Sequence, residues 1–422
     1  MTKVLLVLFF CLSFLSRAQV SSEAIAAYER GNIDEKINQL MQFFAKLPAI
    51  SQDTVLYFIS DLQTRGVEQI REDAIAFSDY IFGHYLNDHS LFDEAKLKLN
   101  KAKSYYSRVE DDTLLSLVNN ALGNTYYLSG EFKKAESHYL KSVERGKKAK
   151  KEKYQFLSYA NLARISMHEQ SFSKASDILD EYIAFNEKSN DVRGLGRAYG
   201  IYGQLYIEKK DKKMASDYLS QSMRYNLMTK DPAIIANGYT NNAIAFFLSA
   251  DFNQAKEYFH YALTSRLLSG NKYFIAEAYY NLGDFYMNTN EMDSALYYFD
   301  RSLEVSRASD NFIGERDALD QKAAVYDSLK AFRKETEVLK SYLNVMQRLN
   351  REKETRELMA MRMSFEQDLS QNDFIHHRRE EELNGRVKQV DDVWSYWLWF
   401  MILGLIVTSV TLFFMGRRKK RT

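Results

Sequence analysis

Six alanines recur at intervals of 40 residues, and this period constrains the fold more than any other feature of the sequence. A glycine or alanine stands 12 positions before each of them, and a large apolar residue stands four positions after each. Four residues make about one helical turn, so each alanine shares one side of a helix with the large residue that follows. The six alanines are Ala95, Ala135, Ala175, Ala215, Ala255 and Ala295. Such a period predicts a helical hairpin that buries its apolar side only by stacking on copies of itself.

The most complete copy reads LVNNALGNTYYLSGEFKKAESHYLKS. Tyr126 lies on the apolar face of its first helix, and Gly123 allows a neighbouring helix to approach closely. The SGEF stretch ends that helix. Ala135 and Tyr139 then face back from a second helix, with the alanine at the crossing and the tyrosine filling the space beside it. The copy therefore predicts two antiparallel helices in close contact.

The composition favours helix and excludes several classes of function. The 422 residues include only two prolines and 17 glycines. The 57 basic and 56 acidic residues leave a net charge of +1, which provides no basic excess for nucleic acid. No paired carboxylates, no serine with histidine and no spacing of metal ligands indicate catalysis. The sequence predicts an all-α protein that is not an enzyme, has no cofactor, metal ion or nucleic acid partner, and acts by binding.

These copies resemble tetratricopeptide repeats (TPR), whose pattern is leucine and glycine, then tyrosine, then alanine, then phenylalanine or tyrosine. Two copies carry the pattern in full, at Leu122, Gly123, Tyr126, Ala135 and Tyr139, and at Leu282, Gly283, Tyr286, Ala295 and Phe299. The family's early tryptophan and terminal proline are absent, and the usual period is about 34 residues. The resemblance implies a TPR-like α-solenoid of about seven hairpins over residues 75–349, preceded by an irregular helical cap over residues 19–74.

In this family the first helices of the hairpins line a concave groove, and asparagines there often hold an extended peptide. The resemblance implies a protein or peptide partner in the same place. An asparagine amide offers a donor and an acceptor together, which match one peptide unit of a ligand. Alternatively, these asparagines cap or cross-link adjacent hairpins. The candidate ligand-binding residues are Asn120, Asn124, Asn161, Arg164, Arg197, Gln204, Asn241 and Asn281.

The first 18 residues predict a secretory signal peptide, with an uncleaved anchor as the alternative. Lys3 precedes an apolar run from Val4 to Leu15, and the small residues Ser16 and Ala18 flank Arg17 before a cleavage position after Ala18. The only cysteine, Cys11, lies inside this segment, so the mature protein is expected to contain no disulfide.

Residues 393–415 predict a transmembrane helix. They contain no charged residue, and 23 helical residues rise about 34 Å. Trp394, Trp397 and Trp399 lie at one end, and the basic tail, residues 416–422, lies at the other. Because lysine and arginine accumulate on the cytoplasmic side, the pattern predicts a single-pass protein of the bacterial inner membrane, with a periplasmic N-terminal region and a short cytoplasmic tail.

Residues 350–392 are highly charged and predict a helical stalk. Leu369, His376, Leu383 and Val390 are spaced by seven, as in one column of a coiled coil, but the companion column is half polar. The segment is therefore expected to be a solvated stalk or a weak coiled coil, with a homodimer through the stalk as one possibility.

This order of segments resembles the periplasmic sensor region of Bacteroidetes TPR membrane sensors, without a kinase or helix-turn-helix output domain. It predicts a membrane-anchored periplasmic TPR protein that binds a peptide or protein and acts as a sensory or regulatory module through a partner. The alternative is a tethered scaffold or chaperone-like adaptor for envelope protein assembly.

Overall fold

Helices begin every 20 residues along most of the computed structural model, which describes residues 28–46 and 52–418. Side chains are not described for residues 42–54, for many positions between 352 and 393, or beyond Leu403. No strand occurs within these ranges. The helices are α1 Ile33–Lys46, α2 Gln52–Glu68, α3 Glu72–Asp88, α4 Phe92–Arg108, α5 Asp112–Leu128, α6 Phe132–Lys148, α7 Glu152–Gln155, α8 Tyr159–His168, α9 Phe172–Ser189, α10 Val192–Glu208, α11 Lys212–Met228, α12 Pro232–Leu248, α13 Phe252–Ser269, α14 Lys272–Asn288, α15 Met292–Arg307, α16 Phe312–Ser328 and α17 Phe332–Arg418. A 3₁₀ turn, Phe156–Ser158, joins α7 to α8.

Many helix boundaries use the same two local devices. A residue with positive φ follows most helices at the 20-residue spacing, and at Gly130 and Gly270 this residue is a glycine. An aspartate or asparagine often caps the next helix, as Asp111 does by accepting a hydrogen bond from the Leu114 backbone N–H at 2.9 Å. The turns therefore need only about three residues between helices.

The helices from α3 onward pair into seven antiparallel hairpins, with α7 and α8 together forming the first helix of the third. Each hairpin also packs against the next one along the chain. This arrangement confirms the predicted all-α solenoid of TPR-like hairpins. Helix α2 packs on α3 and begins 20 residues before it, so the regular spacing extends into the predicted cap, residues 19–74.

The repeated small and large residues meet at the crossing of the two helices in a hairpin. A Cβ atom added to Gly123 would lie 2.5 Å from the Tyr139 ring, and one added to Gly83 would lie 2.5 Å from Leu99 Cγ. The six phased alanines are all buried, with at most 3% exposure at Ala215. The period therefore records positions where two helices approach too closely for a larger side chain.

The last helix, α17, extends far beyond its hairpin. Val345 and the partly buried Tyr342 pack against the apolar residues of α16. The helix then continues for a total of 87 residues and contacts α2 near the other end of the chain. There the Arg378 guanidinium pairs with Glu72, in the first turn of α3, and Glu72 also pairs with Arg108. The predicted stalk, residues 350–392, therefore touches the first helices of the solenoid.

The two ends of the chain are only partly described. The predicted signal peptide, residues 1–18, lies outside the described residues, as do the side chains of the basic tail. The predicted membrane segment, residues 393–415, continues α17, but its side chains after Leu403 also lie outside. Among the residues that the structure describes, no helix combines the length and apolar character that a membrane crossing needs, and the predicted span finds no support there.

Candidate functional site

The first helices of most neighbouring hairpins contact one another. Contacts join α3 to α5, α5 to α7, α8 to α10, α10 to α12, and α14 to α16. We call the surface of α3, α5, α7, α8, α10, α12, α14 and α16 the first-helix face. All eight candidate binding residues lie on this face, on α5, α8, α10, α12 and α14.

In the N-terminal half of this face, the asparagines bond to the protein itself. Asn161 Nδ2 on α8 donates to Asn124 Oδ1 on α5 at 3.1 Å, which links two consecutive hairpins. The same Asn124 oxygen accepts a hydrogen bond from the Tyr139 hydroxyl at 2.8 Å. Asn120 Oδ1 accepts one from the Ser158 hydroxyl at 2.9 Å. These contacts match the alternative in which asparagines cross-link adjacent hairpins.

In the C-terminal half, the asparagines at the same repeat position have no such partner. Asn241 is half-buried and Asn281 is 7% exposed, and neither side chain makes a hydrogen bond within residues 28–46 and 52–418. The difference in hydrogen bonding follows from the residue that stands 37 positions before each asparagine, on the preceding first helix. It is Asn124 for Asn161, but it is Gln204 for Asn241 and Ile244 for Asn281. An isoleucine cannot accept a hydrogen bond, and the buried Gln204 makes none to the described residues.

Two arginines form a positively charged area on α8 and α10. Arg164 is half-buried, and its Nη1 donates to Asn161 Oδ1 at 3.4 Å. Burial lowers the pKa of Arg164, and the nearby charge of Arg197 lowers it further. Arg197 itself is exposed. Within the described part of the chain, neither guanidinium has a carboxylate within 4.0 Å. The pair is therefore an uncompensated positive charge.

The C-terminal end of the face, on α14 and α16, is acidic, which the sequence analysis missed. Burial raises the pKa of Asp284 on α14, whose carboxylate accepts a hydrogen bond from Asn288 Nδ2 at 3.1 Å. Burial also raises the pKa of Asp317 on α16, and the neighbouring charge of Asp320 adds to this effect. Burial and then these three carboxylates raise the pKa of Tyr280. All three acidic groups therefore lie close to Tyr280.

The repeat period contained the signal for this second group. Residues 124, 164, 204, 244 and 284 occupy one repeat position and read Asn, Arg, Gln, Ile and Asp. Residues 197, 237, 277 and 317 occupy another and read Arg, Asn, Glu and Asp. Both series change from basic to acidic along the face. Comparing residues at one position across repeats would have identified Asp284 and Asp317.

Comparisons with known proteins bear on the fold. Residues 196–227 and 276–309 match the family model described as tetratricopeptide repeat, and they correspond to the hairpins α10–α11 and α14–α15. No curated protein matches the chain.

Several solved structures are similar to this chain. A signal transduction ATPase with numerous domains and a tetratricopeptide repeat sensor, from Pyrococcus horikoshii, is 16% identical over 78% of this chain and 47% of that one, with a TM-score of 0.50. Aspartyl phosphate phosphatase F from Bacillus subtilis is 13% identical over 77% and 92%, with a TM-score of 0.49. A tetratricopeptide repeat protein from Parabacteroides merdae is 14% identical over 66% and 93%, with a TM-score of 0.44.

At these identities the similarity concerns the fold alone. The Pyrococcus horikoshii protein, with a TM-score of 0.50, carries the comparison. The two matched segments fall on hairpins that have the helix spacing and the glycine or alanine crossings described above. The chain therefore carries tetratricopeptide repeats within an all-α solenoid.

Proposed function

We propose that the protein is a regulatory adaptor that binds a protein or peptide partner on its first-helix face, which forms the binding groove. The observation that carries this proposal is the pair Asn241 and Asn281, which make no hydrogen bond to the described residues. Their amides can each pair with one peptide unit of an extended ligand. Both amides keep some contact with solvent, so a ligand bound here replaces water as their hydrogen-bond partner and gains about 1 kcal/mol for each amide. We propose no catalytic role.

Asn161 differs in function from these two residues under this proposal. It occupies the same repeat position, but its amide already bonds to Asn124 on the preceding hairpin. Replacing Asn161 should therefore affect stability, whereas replacing Asn241 and Asn281 should affect binding. This contrast provides a matched control within one chain.

We further propose that the protein is anchored in the bacterial inner membrane with its repeats in the periplasm. The support comes from the sequence: the apolar start of residues 1–18, the uncharged segment of residues 393–415 and the basic residues that follow it. Under this proposal the protein regulates a partner across or along the membrane. The alternative, a tethered scaffold for envelope assembly, uses the same face and differs in the partner that it captures.

The first experiment locates the partner. A photo-crosslinking amino acid is placed in the full chain in cells at Arg197, which is exposed on the first-helix face, or at Leu268, which is 76% exposed on a second helix. We expect a discrete adduct from position 197 and none from position 268. The identity of the adduct, a regulator or an assembly factor, decides between the two roles. Equal adducts at both positions, or none at 197, would contradict the proposed site.

The second experiment compares two double variants. Asn241→Ala with Asn281→Ala should remove contacts of about 1 kcal/mol each, and so weaken partner capture roughly 30-fold. The melting temperature should hardly change. Asn124→Ala with Asn161→Ala should instead lower the melting temperature, because it removes the link between hairpins and a partner of Tyr139. A lower melting temperature with undiminished capture in the first variant would refute the proposed role of these asparagines.

A further inference from the structure

The first-helix face carries opposite charges in its middle, on α8 and α10, and at its C-terminal end, on α14 and α16. Arg164 and Arg197 lie on α8 and α10, and no described carboxylate lies within 4.0 Å of either. Asp284, Asp317 and Asp320 lie on α14 and α16. Of these three, Asp317 pairs with a described cation, Arg316, at 2.6 Å. The separation of charge is therefore only slightly compensated within the protein.

Charges between and beside these groups do not remove the contrast. Glu208 is an acidic group at the end of α10, 11 positions or about three helical turns after Arg197. Burial raises the pKa of Glu208, and the charge of His168, one helical turn after Arg164 on α8, lowers it. On α12, between the arginines and the aspartates, Asn237 has the repeat position of Arg197, and Ile244 has that of Arg164. Neither residue carries a charge. A ligand along the face would thus meet basic, neutral and acidic surfaces in order.

We propose that the partner binds through an extended segment of matching polarity, with acidic residues against Arg164 and Arg197 and neutral or basic residues toward Asp284 and Asp317. This inference rests on the proposed function and adds the chemistry and orientation of the partner. Complementary charges favour one placement, and like charges at the far end disfavour the reverse. The half-buried Arg164 exerts this effect more strongly than the exposed Arg197, because screening by water is weaker around it.

The geometry also sets the length of the segment. Packed helices lie about 8–10 Å apart, and α10 and α14 are the first helices of hairpins two repeats apart, so on the order of 20 Å separates them. An extended chain advances about 3.3 Å per residue, so roughly six residues separate the acidic part of the partner from the part that reaches α14.

The test uses the full chain in detergent and a synthetic peptide as the probe. The peptide has about six glutamates, a spacer of about six serine and asparagine residues, and about six lysines. A photoreactive residue stands beside the glutamates. We expect it to label α8 or α10 at low salt, and binding should weaken as the salt concentration rises.

Matched variants identify the residues responsible. Arg164→Gln with Arg197→Gln should weaken peptide binding by about tenfold or more, and the exposed Arg197→Gln alone should already weaken it. Arg224, exposed on the second helix α11, serves as the control, and Arg224→Gln should bind as the parent does.

Three results would overturn the inference. They are labelling spread evenly along the face or concentrated on α14 and α16, unchanged affinity in the arginine variants, and no binding of the peptide at low salt. The proposed function has a separate readout, because Asn241→Ala with Asn281→Ala leaves both arginines in place and should weaken partner capture whether or not the partner has this polarity.

Discussion

Glycine has two different roles in these hairpins, and they can be separated by substitution. Gly123 lies under the Tyr139 ring, where a Cβ atom would be 2.5 Å from two ring carbons. Gly130 ends the same helix with a φ of +79°, and no atom would lie within 4 Å of its Cβ. The first glycine is required by packing, and the second is favoured by backbone conformation.

We therefore expect two kinds of cost from the same chemical change. Gly123→Ala should overpack the crossing and destabilise the protein by about 1–3 kcal/mol. Gly130→Ala should cost only about 1 kcal/mol, from the left-handed backbone conformation. In a Tyr139→Ala background, the cost of Gly123→Ala should fall sharply and that of Gly130→Ala should remain. Thermal unfolding of the six chains measures this, and equal costs in both backgrounds would show that Tyr139 does not restrict Gly123.

At the scale of the helices, one aromatic stack differs from its repeats in a way that introduces pH dependence. His138 on α6 stacks on Tyr126 of α5, with ring centroids 5.2 Å apart. Its Nδ1 lies 3.1 Å from Asn119 Oδ1. In three later hairpins a tyrosine holds the position of the histidine, and Tyr298 stacks on Tyr286 with ring centroids 5.3 Å apart.

Burial lowers the pKa of His138 to about 4, and the charges of Lys103 and Lys141 contribute. Its ordinary pKa in the unfolded chain is about 6.5, so the unfolded state binds a proton first as the pH falls. As the pH falls from about 6.5 to about 4, the histidine therefore lowers the free energy of unfolding. At pH 7 it has no such effect. Because His138 is partly exposed, we expect the loss to be about 1–2 kcal/mol.

His138→Tyr should abolish this part of the acid sensitivity, since the stack is kept and the titrating ring is removed. The measurement is unfolding of parent and variant at pH 7 and at pH 4.5. The difference between the two proteins should grow in favour of the variant at the lower pH. Parallel losses of stability would mean that another group accounts for the acid response.

The sequence predicted the repeated part of these elements and could not predict their exceptions. Period and residue size were enough to identify the hairpins and the crossing at Gly123, because the same contact recurs in each copy. The break between α7 and α8 has a cause outside its own sequence. The backbone at Tyr154 and Gln155 packs against Gly146, and the Ser116 hydroxyl donates to the Tyr154 carbonyl at 3.2 Å.

The candidate site shows the same limit. Repeat phase placed Asn161, Asn241 and Asn281 in equivalent positions, and the structure keeps them there. Their hydrogen bonds depend on a residue in the preceding hairpin, which is Asn124 in the first case and Ile244 in the last. A pattern within one copy could not reveal a contact between copies.

At the scale of the whole molecule, α17 connects the last hairpin to the first. Arg378 is 51% exposed and its partner Glu72 is 23% exposed, so this ion pair contributes little energy by itself. The ion pair nevertheless forms only while α17 lies beside α3. Disrupting it should leave each hairpin folded and change only the position of α17.

Glu72→Lys should move α17 away, because a lysine would face Arg378 and Arg108. Spin labels at Leu97 on α4 and Ile375 on α17, both exposed, measure the separation after the only native cysteine, Cys11, is replaced by serine. We expect a single distance in the parent and a longer, broader distribution in the variant. Asp293→Lys, an equivalent charge reversal in the first turn of α15, should leave the distance unchanged. The same distribution in all three proteins would show that this contact does not position α17.

This contact also affects the order in which the chain folds. Hairpins join residues only a few tens of positions apart, whereas the pair Glu72 and Arg378 joins residues 306 positions apart. Contacts between distant residues incur a larger loss of chain entropy and form more slowly than local ones. The hairpins can therefore form and stack before α17 meets α3, so the molecule passes through a state in which the solenoid is complete and its two ends are not yet connected.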